Sequence, residues 1–355
     1  MVFETDITKM LGIKHPIVGA PMGPFYTTDL TIAVSEAGGL GVLSHASDFS
    51  REATIENLQD MKSTTRVLKK NMEYVVEHTD KPFGFNIRTS RLQLDAYNLV
   101  KEIPKFIMEN PKIKEQCVYC ITSAGSSKTV KTKSWDRLKE SGSQIKHFHV
   151  APALWLAGKC VDSGVDGVVV TGTEGGGHQS YEKVSTLVLL QQVKQKYPDI
   201  PVIACGGYAT GEGLASALAM GAGAVAMGSR FIASEESEFH DAYKNIVPPA
   251  KASDTVIVTG ALGPIRLWNN NYAAHHGLVA NKEEKMAEEA KFTPEMFIED
   301  GKRYAMIYDG NVSDGAVLLG QSIGVINSVE KVSKIIDSIV NDAEKCLKNA
   351  TNQIK

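Results

Sequence analysis

Short apolar, β-branched runs recur along this chain, separated by longer segments in which apolar residues return at helical spacing. The runs fall at 16–22, 41–45, 82–87, 118–123, 147–150, 167–172, 201–205 and 224–227. Strands that alternate with helical patterns indicate βαβ units and a parallel sheet. Eight such units in about 230 residues predict an α/β fold, a closed (β/α)8 barrel. A doubly wound open sheet is the alternative for the same pattern. Between the strands, residues 28–39 open on Thr28 and Asp29, which are capping types, and close on glycine. Residues 211–221 are small and apolar and should pack tightly on the sheet. Residues 51–79 are polar and long, which predicts one helix or two on the barrel exterior.

The pattern changes after the eighth strand. Residues 235–305 are polar and helix-prone, with Pro248, Pro249, Gly260 and Pro264 as breakers. This predicts a helical cap over the barrel mouth, inserted between a barrel at 1–234 and a segment at 306–355 that returns to it. The run 282–291 mixes charges at i,i+4 spacing and reads as a solvated helix face.

Composition narrows the function classes. The 355 residues are 43% hydrophobic and 22% charged, which is ordinary for a soluble globular protein. A net charge of -3 argues against nucleic acid or an anionic membrane surface as partner. The start of the chain has no basic segment followed by an apolar stretch, so no signal peptide is expected. No run reaches the length of a membrane span. Five scattered cysteines suit a reducing cytoplasm. Cys117 and Cys120 form a CxxC pair without a second pair or nearby histidine, and positions three apart in a strand point to opposite faces. A small-molecule substrate remains the expected partner, with a homodimer as the candidate assembly.

The candidate chemistry sits at strand ends. The seventh run ends in Gly206-Gly207 and the eighth in Gly228-Ser229. In a (β/α)8 barrel the loops after these two strands are the frequent phosphate site, where bare backbone lets N–H groups approach the anion. Plain barrel punctuation is the bland alternative. After the sixth run, Glu174-Gly175-Gly176-Gly177-His178 places three glycines before a histidine. Such a loop persists where something lies against its backbone, and a flat ring is one candidate. His178 can then take or give a proton at the catalytic face, or else merely cap the next helix. Glu174 is read as orienting His178 or binding neighbouring backbone. His147 and His149 share one strand face and are read as packing or pocket lining, since no third metal ligand is evident. His45 ends the second run and could reach the mouth, while His275 and His276 are read as surface. Ala20-Pro21-Met22-Gly23 ends the first run, and Asn86 ends the third, offering the donor and acceptor that a uracil-like ring edge requires.

These pieces in series resemble the nitronate monooxygenase (2-nitropropane dioxygenase) family, which includes FMN-dependent enoyl-acyl-carrier-protein reductases and NAD(P)H:quinone reductases. The matching stretches are 19–23, 37–41, 84–86, 164–166, 172–178, 201–207 and 227–231, then 309–310 and 320–324. The resemblance implies a TIM barrel that binds FMN at its C-terminal face. Ala20, Pro21, Met22, Gly23 and Asn86 would contact the isoalloxazine ring, with Gly176 and Gly177 beside it. Gly206, Gly207, Gly228 and Ser229 would hold the phosphate, and His178 would be the catalytic histidine. The implied activity is oxidation of alkyl nitronates with O2. Reduction of an enoyl thioester or quinone, with NAD(P)H as co-substrate, is the alternative. No metal is implied. Gly175 stands where the family usually has alanine, and the stretches 51–79 and 264–305 look longer than in compact members. A flavin-free barrel lyase or isomerase would need carboxylate or lysine bases at several strand ends, where this chain carries Gly, Asn and His.

Overall fold

The computed structural model describes residues 3–90, 92–260, 263–291 and 293–354. Eight parallel strands form the frame: β1 (Ile17–Gly19), β2 (Gly41–Leu43), β3 (Phe83–Arg88), β4 (Cys117–Ser123), β5 (Lys146–Ala151), β6 (Gly167–Thr171), β7 (Val202–Cys205) and β8 (Ala224–Met227). Their order is β1-β8-β7-β6-β5-β4-β3-β2. A parallel bridge between Val18 and Leu40 joins the two ends and closes the barrel. All eight runs read from the sequence are strands of this closed (β/α)8 barrel.

Alternation along the strands sorts the core into two shells. Val18, Val42, Tyr119, Ile121, Phe148, Val169, Ile203 and Ala226 fill the barrel interior. Ile7 and Leu11, from the helix Asp6–Leu11, pack into the same cluster. Phe83, Phe85 and Ile87 point outward against Leu68, Met72 and Val75 of the helix Ser63–His78. On the other flank, β1, β6, β7 and β8 pack against the ring of helices that ends with Val332–Thr351. Residues 51–79 hold two helices, Ile55–Gln59 and Ser63–His78. The helix Thr28–Glu36 has no cap from Thr27, its N-cap residue. Instead the Glu238 carboxylate accepts its first amides, from Asp29 at 2.6 Å and Leu30 at 3.4 Å.

Three expectations change. Residues 235–305 are not helical throughout, for Thr255–Gly260 and Gly263–Trp268 form an antiparallel pair there. That pair extends through a third strand, the two residues Gly177–His178, into a small second sheet. β3 runs one residue past the predicted end at Ile87, to Arg88. Cys117 and Cys120 do not face opposite sides. The register against β3 shifts beside Gly84, so Val118 is skipped and both thiols enter the same outer core as free, buried cysteines. Burial drives both of their pKa values up, which makes them packing groups. Among the described residues no helix is long and apolar enough to cross a membrane.

Candidate active site

The loops after β1, β3, β4, β5, β6, β7 and β8 surround one cavity of about 1120 Å³ at the C-terminal face of the barrel. Ala20, Pro21, Met22, Gly23, Asn86, Gly176, Gly177, His178, Gly206, Gly207, Gly228 and Ser229 all border it. Residues separated by up to 209 positions thus meet because parallel strands end on one side. Ala280, Asn281 and Met286, from the segment after β8, also reach its edge.

The loop after β6 is pinned on both sides. Gly177–His178 pairs with Ile265 and Arg266 of the second sheet, and the Gln179 N–H donates to the Pro264 carbonyl at 2.7 Å. The Arg266 guanidinium donates to the Thr173 carbonyl at 2.8 Å. From the other side, the Gln321 N–H donates to the Glu174 carbonyl at 2.8 Å. What lies against bare Gly176 is therefore the chain's own Leu319–Gly320 backbone, not open space. Gly177, by contrast, has a φ of 81° and nothing within 4 Å of where a Cβ would sit. It is the glycine of the three whose backbone conformation excludes most other residues.

His178 is half-buried, and its ring makes no hydrogen bond among the described residues. Burial first, and then the charge of Arg88, hold its pKa down to about 4, so the imidazole is neutral at pH 7. It does not cap the next helix: Thr186–Lys196 is capped by the Ser185 hydroxyl, which accepts from the Val188 N–H at 3.4 Å. Glu174 does not orient His178 either. Its carboxylate accepts from the Thr186 N–H at 2.9 Å and from the Thr186 hydroxyl at 3.0 Å. Thr186 Oγ1 also lies 2.9 Å from the Gly206 carbonyl, so this pair ties the loop after β6 to the loop after β7.

At the opposite wall, Asn86 is buried. Its Nδ2 donates to the Ile121 carbonyl at 2.9 Å and reaches Ser123 Oγ at 3.3 Å. Its amide hydrogens are engaged with β4, while its carbonyl oxygen has no protein partner among the described residues. The main-chain N–H groups of Gly207 and Gly228 likewise meet no protein acceptor. Ser229 Oγ accepts from the Gly320 N–H at 2.9 Å and keeps its own proton to donate. Donor backbone at β7 and β8, an acceptor at β3 and a bare loop between them fit a phosphate-bearing planar ring system. Cys205 also borders the cavity, but burial lifts its pKa to about 11, so it is no nucleophile at neutral pH.

Other histidines fall elsewhere. His147 and His149 both contact the Thr122 hydroxyl, at 2.8 and 2.6 Å, inside the protein. Among the described residues no group of three metal-binding side chains exists. His45 does not reach the mouth. It is buried behind it, with Nε2 3.2 Å from Asp95 and Nδ1 accepting the Arg88 N–H at 2.8 Å. Arg88 and Tyr181 border the cavity and were missed by the sequence reading. The hydroxyl of Tyr181 and the Nε of Arg88 are buried without partners. Ending β3 one residue short hid Arg88, although Asn86 and Arg88 share the alternation of one strand face.

A family model described as nitronate monooxygenase matches residues 4–342. A (3aS,4S,5R,7aS)-5-hydroxy-7a-methyl-1-oxo-octahydro-1H-indene-4-carboxyl-CoA dehydrogenase of Rhodococcus jostii is 30% identical, covering 96% of each chain. A Staphylococcus saprophyticus protein named "Probable nitronate monooxygenase" is 29% identical over 77% of this chain and 80% of its own. The structure of FabK from Thermotoga maritima superposes with a TM-score of 0.76 at 30% identity, covering 99% of this chain and all of that one.

Proposed function

The chain belongs to the nitronate monooxygenase family, a family of oxidoreductases, and from that premise we propose an FMN-dependent enzyme that oxidises alkyl nitronates with O2. The observation that carries this reading is the meeting, in one cavity, of free strand-end N–H groups with a neutral, unbonded imidazole. Gly206, Gly207, Gly228 and Ser229 would hold the phosphate through backbone N–H groups and the Ser229 hydroxyl. Ala20, Pro21, Met22 and Gly23 would lie along the ring, and the Asn86 carbonyl would accept from its pyrimidine edge. Gly177 leaves the ring's approach open. When bound, FMN supplies a two-electron acceptor that O2 can re-oxidise. His178 takes a proton from the substrate or returns one, and the strand pairing of Gly177–His178 fixes where it does so. The substrate is a small molecule, and the free cysteines fit the reducing cytoplasm as its setting.

One observation favours a second reading, reduction of an enoyl thioester or a quinone with NAD(P)H. The cavity of about 1120 Å³ exceeds the roughly 300–1,000 Å³ of a site for one drug-sized ligand. Space for part of a second ligand therefore remains beside a flavin. Lys128 and Lys159 border the cavity, and the Lys159 ammonium lies 4.7 Å over the Trp155 ring, a rim suited to an anionic ligand. The relatives named as a carboxyl-CoA dehydrogenase and as FabK point the same way.

Anaerobic stopped-flow with NADH, NADPH and propyl-2-nitronate separates the two. Bleaching of the flavin by nitronate alone supports the oxygenase, and bleaching by a pyridine nucleotide supports the reductase. A purified protein that neither carries nor takes up flavin overturns both.

A further inference from the structure

Phe83, Phe85 and Ile87 pack outward from β3, so Asn86 and Arg88 face the barrel side. Arg88 lies two residues beyond Asn86, about 6–7 Å nearer the mouth, and borders the cavity. Its Nη2 donates to the His45 carbonyl at 3.2 Å, and its Nε is buried with no partner. Among the described residues no carboxylate pairs with it. The nearby Asp95 is engaged by His45, by Thr64, and by Gln93 Nε2 at 3.0 Å. A guanidinium keeps its proton at any ordinary pH, so this is a desolvated cation on which the Asp95 carboxylate acts through space but to which no carboxylate is hydrogen-bonded among the described residues.

Its placement is fixed in advance. The Arg88 N–H donates to His45 Nδ1, which leaves the His45 proton on Nε2, facing Asp95. In the strand order β3 stands four places from β7, across the barrel from the phosphate-type glycines. Arg88 is thus removed from any phosphate held there, and its charge acts on His178.

We propose that Arg88 is the anion-recognition residue of the substrate site, and that it takes a planar two-oxygen group, a nitronate or a carboxylate. The guanidinium fork matches that geometry with two parallel hydrogen bonds. His45 and Asp95 act through Arg88 as positioning residues. The inference rests on the flavin reading above and deepens it by naming the charge of the substrate.

The test compares wild type, Arg88→Gln and Arg88→Lys as holoenzymes. Sodium benzoate and neutral benzamide are titrated by perturbation of the flavin spectrum, and propyl-2-nitronate by anaerobic flavin reduction. Wild type should bind benzoate in clear preference to benzamide. R88Q should keep its FMN and lose tenfold or more in affinity for benzoate, for nitronate or for both. R88K, with the charge but not the fork, should fall between. Loss confined to benzoate identifies a carboxylate substrate, and loss confined to nitronate identifies a nitronate. Equal binding of benzoate and benzamide by wild type overturns the proposal, and that measurement needs no variant to fold. Unchanged affinities in R88Q overturn it as well, as does a folded R88Q that has lost FMN. If wild type carries no flavin, the flavin reading fails by itself. The benzoate–benzamide comparison between wild type and R88Q, read as a shift in thermal midpoint, then judges Arg88 apart from the flavin.

Discussion

Gly176 and Gly320 meet backbone to backbone: a Cβ on Gly176 would lie 2.7 Å from the Gly320 nitrogen. The contact explains why a glycine-rich loop and a distant Gly-Gln-Ser-Ile-Gly segment occur in one chain. Gly176→Ala should destabilise the protein by about 1–3 kcal/mol, the usual cost of forcing a methyl into filled space. Gly177→Ala meets no atom, yet at a φ of 81° it should cost about 1–2 kcal/mol. Urea denaturation measures both. A Gly176→Ala protein as stable as wild type would mean that residues 319–320 move freely from the loop.

The barrel was legible because its parallel strands are short apolar runs punctuated by glycine, as at Cys205-Gly206-Gly207 and Met227-Gly228. Strand ends carry the site in such a fold, so the same residues revealed the mouth. Long-range packing hid the rest. The β-branched run Thr255–Gly260 signals a strand, but it lies in a polar stretch whose helical bias dominated the reading. Nothing local announces that His178 adds a strand to that pair. Nor does sequence show that His45 turns away to hold Arg88, because that depends on Asp95, 50 positions on. The shift beside Gly84 that brings Cys117 and Cys120 together is likewise set by pairing, not by spacing.

Gly228 tests the phosphate reading without backbone strain. The nearest atom to a Cβ there is Ala20 Cβ at 3.8 Å, and the φ of -101° is ordinary. Gly228→Asp should fold and lose FMN, because two like charges about 4 Å apart repel by about 4 kcal/mol at an effective dielectric near 20. That corresponds to roughly a thousandfold in affinity. Gly228→Ala should keep the flavin. Flavin content and circular dichroism of the two variants give the answer, and a yellow Gly228→Asp protein at wild-type occupancy would move the phosphate elsewhere.

The cofactor released by heat or acid should have the mass of FMN. On the proposed reading, the free N–H groups of Gly207 and Gly228 would make one phosphate cradle, between β7 and β8. Mass spectrometry of the supernatant decides the point, and an FAD mass would contradict the single cradle.

His178→Ala should stay folded and yellow and still lose turnover with the true substrate. The loop around it is held by main-chain pairing to Ile265 and Arg266 and by the Thr186–Glu174 bonds, none of which uses the imidazole. A positioned acid–base group typically contributes ~10²–10⁴-fold, so the substrate half-reaction should slow by two decades or more. Flavin reduction by NAD(P)H, if it occurs, should suffer less, since hydride transfer needs no general acid there. The pH profile separates a chemical role from a structural one. A histidine at its ordinary value of 6.5 would be mostly protonated at pH 5.5, whereas His178, held down to about 4, stays neutral. The neutral form is the one able to accept a proton. The rate in wild type should therefore hold level as pH falls from 7 to 5.5 and decline only as pH drops through about 4. His178→Ala should lack that acid limb. An acid limb near 6.5 in wild type would show that Arg88 and burial do not act on this imidazole in the working enzyme. Unchanged turnover in His178→Ala would leave it without a part in the chemistry.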